Sequence, residues 1–151
     1  MEEKAFDELM DSLYVAKEIT NIFPKIPEGI KWSYLYVLYA IHELGEEARI
    51  TDISKKMLIS SPNITALVNE MEKKRFVIRE RSKTDKRVSY ITSTNEGKEL
   101  LDKYYFQYKK EVAHSINISE DDLMTTIHTL NQLKKYFVTA ADKIDKDNYL
   151  T

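Results

Sequence analysis

Small polar side chains recur along one stretch of this chain: Ser61, Asn63, Thr65 and Asn69, with Pro62 and Ala66 between them and Lys73 after them. Short hydroxyls and amides of this kind hydrogen-bond to flat polar edges, such as base pairs in a major groove about 12 Å wide, where bulkier side chains do not fit. Ten residues further on, Arg79, Arg81, Lys83, Lys86 and Arg87 are gathered around a single Asp85, a pattern suited to neutralising phosphates and entering a narrow groove. None of this is covalent chemistry. The chain has no Gly-rich phosphate loop, no Gly-x-Ser-x-Gly elbow, no His-Glu-x-x-His and no recognisable pair of catalytic carboxylates, so the expectation is a protein that binds rather than an enzyme.

The charge distribution locates the binding segment. The whole chain carries −2, but residues 49–90 hold eleven Lys and Arg against five acids, a net +6, and the remainder carries −8. A polyanion would meet the middle of the chain and be repelled by its flanks. With no cysteine, disulfides, thiolate metal sites and thiol redox switches are excluded. His42, His114 and His128 are isolated in the sequence, so neither a metal site nor a cofactor is expected. The start lacks a basic and then apolar leader and no apolar run approaches a membrane span; the expected setting is cytoplasmic, with no membrane partner.

The elements that position these residues follow from periodicity. The 151 residues suit one domain, and three Gly and three Pro favour long helices with short joints. Apolar positions from Phe6 to Phe23 predict a first helix over residues 4–23, ended by Pro24 and Pro27. The dense apolar run of residues 33–44 predicts a buried helix at the centre of the core, capped by Gly45. Thr51 is the expected N-cap of a short helix over 52–58 with Ile53, Met57 and Leu58 inward. Ser61-Pro62 is the expected start of the next, with Ile64, Leu67, Val68 and Met71 facing the core. Residues 76–82 and 88–92 read as a hairpin with a charged tip. Thr94 or Asn95 caps a helix to about Ile116, and Ser119 with Asp122 starts a last one to about Ile144. The final few residues read as a loose tail.

Two short helices followed by a basic hairpin is the order of a winged helix-turn-helix. Residues 79–91, ending Asp85-Lys86-Arg87-Val88-Ser89-Tyr90-Ile91, together with Ser93-Thr94-Asn95-Glu96-Gly97 and the stretch from Ser60 to Lys74, resemble the wing, the following helix entry and the recognition helix of the MarR family of bacterial transcription regulators. The resemblance implies a mainly α fold of six helices with a small β-hairpin wing, assembled as an intertwined homodimer. It implies a DNA-binding lobe over residues 30–97 and a helical dimerisation region over 1–29 and 98–151. Arg87 would be the wing-tip arginine that enters the minor groove, and Asp85 the acid that orients it or a neighbouring basic group. Double-stranded DNA is then the expected partner, read as a pseudo-palindrome with half-sites on the order of 34 Å apart, by a repressor released by a small aromatic effector. Tyr39, His42 and Tyr105 are the effector-site candidates. Arg75 stands where the family usually has glycine, Ala66 where a basic residue is common and Tyr34 where glutamine is usual; a different end to the recognition helix is therefore expected. The acidic remainder and Ala66 also fit another class, a winged-helix dimer acting as a protein-interaction or ligand-binding adaptor without DNA.

Overall fold

The computed structural model describes residues 2–148. In order, the elements are α1 (Glu3–Ile19), α2 (Trp32–Leu44), α3 (Ile50–Met57), α4 (Ser61–Lys73), β1 (Val77–Arg81), β2 (Ser89–Ser93), α5 (Asn95–Leu101), a π-helical segment (Asp102–Phe106), α6 (Gln107–Ser115) and α7 (Glu120–Asn148). α5, the π segment and α6 run on without a break, so the described residues form six helical rods and one antiparallel hairpin in which Val77 faces Ser93, Arg79 faces Ile91 and Arg81 faces Ser89. The chain divides into two compact units, with the boundary between Glu111 and Val112. The expected C-terminal tail lies outside the described residues.

In the first unit α2 is the centre of the core, as its composition predicts. Tyr34, Leu35, Val37, Leu38, Ala40 and Ile41 are all buried, and Ile53 of α3, Ile64, Val68 and Met71 of α4, Val77 and Ile91 of the hairpin and Leu101 of α5 close around them. Each of the Val, Leu, Ile and Met side chains among them contributes about 1.5–3 kcal/mol by leaving water. Gly45 ends α2 at φ +80°, its N–H bonded to Ile41 O at 2.9 Å.

Several joints differ from the sequence-based expectation. α1 stops at Ile19, ahead of Pro24, because Thr20 Oγ1 and Asn21 Nδ2 both donate to Lys17 O, at 2.7 and 2.9 Å, and replace the next helical bonds. Thr51 lies inside α3; the N-cap is Arg49, whose N–H is accepted by the Asp52 carboxylate at 3.2 Å. Leu58 is not inward: it ends α3 at φ +55° and is 86% exposed. Ser60, not Ser61, is the N-cap of α4 and makes no side-chain cap bond, which leaves Pro62 at the second helical position.

The end of α4 also departs from expectation, by not departing from the family pattern. Arg75 takes the left-handed conformation at φ +62°, where a non-glycine residue costs about 1–2 kcal/mol. Its N–H bonds Glu72 O at 3.0 Å and Phe76 N–H bonds Met71 O at 2.9 Å, the paired closure that glycine usually permits. The chain then returns to the same place. Thr94 Oγ1 donates to Arg75 O at 2.6 Å and accepts Gly97 N–H at 3.1 Å, and Thr94 N–H donates to Phe76 O at 3.1 Å. A Cβ on Gly97 would lie 2.1 Å from Phe76 O, so only glycine lets α5 approach the strand entry this closely. The Ser93–Gly97 motif thus ties the end of α4, the start of β1 and the start of α5 together.

α7 begins as its sequence predicts. Ser119 Oγ accepts Asp122 N–H at 3.1 Å and donates to the Asp122 carboxylate at 2.6 Å, with Glu120 and Asp121 in the positive first turn. The helix continues past Ile144 to Asn148.

Candidate nucleic-acid interface

α4 presents Pro62, Ala66, Asn69 and Lys73 along one exposed face, at spacings of four, three and four residues, with exposed Asn63 to one side and half-buried Ser61 and Thr65 to the other. Except for Lys73 this face is uncharged and short, as the sequence implies. Thr65 Oγ1 already donates to Ser61 O at 2.8 Å, so only its acceptor lone pairs are free. Asn69 Oδ1 accepts from Arg79 Nη2 on β1, and Arg79 Nε pairs with Glu72 at 3.2 Å. Arg79 is therefore committed to α4.

A second clasp holds the other flank of α4. Glu70 accepts from Lys31 Nζ and from Tyr34 O–H, both at 2.7 Å. The Lys31 hydrogen bond, followed by that of Tyr34, holds the Glu70 carboxyl below its ordinary range, while burial and then Glu70 push the Tyr34 hydroxyl up. Tyr34, which stands in place of the family's usual glutamine, is buried and anchors α2 to α4.

The wing is organised from within. Ser82 is buried, and its Oγ accepts Thr84 and Asp85 N–H groups at 3.3 Å each, while Ser82 N–H donates to Val88 O at 2.9 Å. Asp85 receives Arg87 N–H at 3.0 Å, Arg87 Nε at 3.3 Å and Arg87 Nη2 at 3.5 Å. These contacts, the backbone one first, hold the Asp85 carboxyl below its ordinary range. Arg81, Lys83, Lys86 and Arg87 are exposed around this turn, and Asp85 is half-buried. Sequence reasoning missed the Glu72–Arg79–Asn69 and Lys31–Glu70–Tyr34 clasps. Their polar residues are visible in the sequence, but the pairing depends on which helix flank meets β1 and α2.

The aromatic candidates also come together. Tyr39 and Tyr105 have ring centroids 4.7 Å apart, and His42 stacks on Tyr39 at 6.5 Å. Phe106, which periodicity did not single out for a site, lies 5.2 Å from His42 and 6.2 Å from Tyr39. Tyr105 and Phe106 both belong to the π segment, a distortion that often marks functional positions. Burial, then Tyr39, pushes the Tyr105 hydroxyl up. A separate groove of roughly 840 Å³ runs along the outer hairpin face between Ile78, Glu80, Tyr90 and Thr92 and the end of α2; of the three candidates only His42 lines it. Among the described residues no group of three His, Cys, Asp or Glu could hold a metal, and no helix is long and apolar enough to cross a membrane.

A helix-turn-helix with an arginine-tipped hairpin defines a winged-helix protein, and comparison places it further. Residues 28–88 match the MarR family. The chain is 28% identical over 94 residues to the HTH-type transcriptional regulator MhqR of Bacillus subtilis, covering 62% of this chain and 64% of MhqR, so it spans just under two thirds of that relative. It is 27% identical over 116 residues to the regulator SarZ of Staphylococcus epidermidis, covering 76% of this chain and 77% of SarZ. Streptococcus pneumoniae FabT, solved in complex with DNA, shares the fold with a TM-score of 0.68 and 18% identity over 90% of this chain and 97% of its own. The family match thus runs from the entry of α2 through the tip of the wing, and the relatives that share it are transcriptional regulators.

Proposed function

We propose that this protein is a cytoplasmic, homodimeric repressor that binds pseudo-palindromic operator DNA and releases it when a small aromatic effector binds. The observation that carries the reading is the coincidence of three features in the +6 segment: a short-side-chain α4 face, the clasps that fix α4 in place, and a wing that holds Arg87 outward on Asp85. Residues 30–97 form the DNA-binding lobe. Within it Ser61, Pro62, Asn63, Thr65, Ala66 and Asn69 face the major groove, and Lys73, Arg81, Lys83, Lys86 and Arg87 meet phosphates and the minor groove. That FabT was solved with DNA in the same fold supports this docking.

Residues 1–29 and 98–151 are the dimerisation region. Exposed Phe6, Val15 and Ile19 on α1 and Ile127, Leu130 and Phe137 on α7 supply more apolar surface than a monomer leaves in water. The cluster of Tyr39, His42 and Tyr105 supplies stacking faces for an aromatic effector.

The test is binding to duplexes taken from DNA around the protein's own gene, across a salt series. Sequence-selective binding with a steep salt slope is expected, and Arg87→Ala should reduce the slope by about one unit. An unchanged slope and affinity would remove the wing from the interface.

A further inference from the structure

The network on the wing side of α4 fixes more than the position of the helix. Arg79 bridges Glu72 through Nε and Asn69 through Nη2. A guanidinium has donors only, so the Asn69 amide must turn its oxygen toward Arg79, and its NH2 group must point the other way. Asn69 shares the exposed face of α4 with Pro62, Ala66 and Lys73. The NH2 group is therefore the part of Asn69 presented to a ligand on that face.

Resting on the DNA-binding reading above, we propose that Arg79 is a positioning residue that makes Asn69 a donor-only reader, selecting guanine over adenine at one position in each half-site. Free asparagine favours adenine because its oxygen accepts from N6 while its NH2 donates to N7. The oxygen keeps a second lone pair, but with its edge of the amide turned to Arg79 it cannot lie beside the NH2 group along the N6 and N7 edge of adenine, and the paired adenine contact is lost. Guanine offers two acceptors, N7 and O6, to the same NH2 group; thymine offers O4, and cytosine offers only a donor and is rejected. Glu72 neutralises Arg79 in place, so the bridge sets the polarity of the contact without adding a phosphate-binding charge.

The experiment selects full-length protein against duplexes randomised within each half-site and measures affinity for single-base variants of the preferred operator over a salt series. Wild type should prefer guanine to adenine by about tenfold at one position, with cytosine bound least. Glu72→Ala/Arg79→Met keeps the net charge, so it should leave the salt slope unchanged while the guanine preference falls to within about twofold or passes to adenine. Asn69→Asp keeps an acceptor for Arg79 but has no donor, and should abolish the guanine preference; it decides the matter if circular dichroism shows that the double variant does not fold. An unaltered base profile in the folded variants would overturn the proposal. So would a slope reduced by about one unit with the profile intact, which would make Arg79 a phosphate contact. Equal binding of every duplex by the wild type would be a failure of the DNA-reading function itself, seen before any substitution, and the proposal would fall with it.

Discussion

From Trp32 to Leu101 most predicted inward apolar positions are buried, with Met57 and Leu67 half-buried and Leu44 and Leu58 exposed, whereas among the described residues α1 has no buried residue and α7 only the half-buried Leu123 and Leu133. The stripes themselves look alike. Ile64, Leu67, Val68 and Met71 on α4 and Leu123, Ile127, Leu130 and Phe137 on α7 follow the same helical period. Periodicity therefore announces that a face will be covered, but not by what: α2 covers α4 within one chain, while the stripes of α1 and α7 stay largely exposed among the described residues. The winged lobe adds polar clasps that fix individual side chains, while in α7 the hydroxyls of Thr126, Thr129 and Thr139 return to carbonyls four residues back on the same helix.

The contrast can be broken most severely at Gly97. Gly97→Ala drives a Cβ against Phe76 O and Leu38 and should destabilise the winged lobe by about 3 kcal/mol or more, measured by urea unfolding; a loss under about 1 kcal/mol would show that the α5 junction is not tight. Leu130→Glu should act on the other region alone. If α7 is a subunit interface, the dimer dissociation constant rises about a hundredfold, by about 2–3 kcal/mol, in sedimentation equilibrium. The unfolding of the winged lobe should not change. Arg75→Gly relieves the left-handed strain at φ +62° and should stabilise the lobe by about 1 kcal/mol, read as a higher unfolding midpoint. The smallest effect is at Asp85. Its folded pKa is depressed, so its tether to Arg87 is complete above the unfolded value of about 3.9 and is lost as pH falls through the folded value. The Arg87 Nε–H resonance should shift with a midpoint below about 3.9; a midpoint at or above it would mean that the carboxylate is not engaged.

Much of this was legible in the sequence. The density of apolar residues in α2 gave its burial, the Ser119 start was placed correctly, Thr94 was one of the two caps that the sequence offered, and the wing stood out by composition. What escaped was set by competition or by distance in the chain. Thr20 and Asn21 end α1 through side-chain bonds that periodicity does not register. Arg75 adopts a glycine conformation because the bonds around Met71, Glu72 and Thr94 outweigh its local preference. The π segment has no local signature, and Arg79, grouped by sequence with the basic wing, pairs instead with Asn69 and Glu72 on a different element.

The tether at the wing tip has a further consequence. The Arg87 side chain is 92% exposed, so no packing limits it, and a free arginine carries about 2 kcal/mol of rotamer entropy. By gripping one edge of the guanidinium, Asp85 removes part of that freedom before any encounter. On the DNA-binding reading proposed above, a wing already ordered has less disorder to surrender on reaching a groove, so more of each contact is left as affinity. Substituting Asp85 would leave every arginine in place and still yield a floppier, weaker hand.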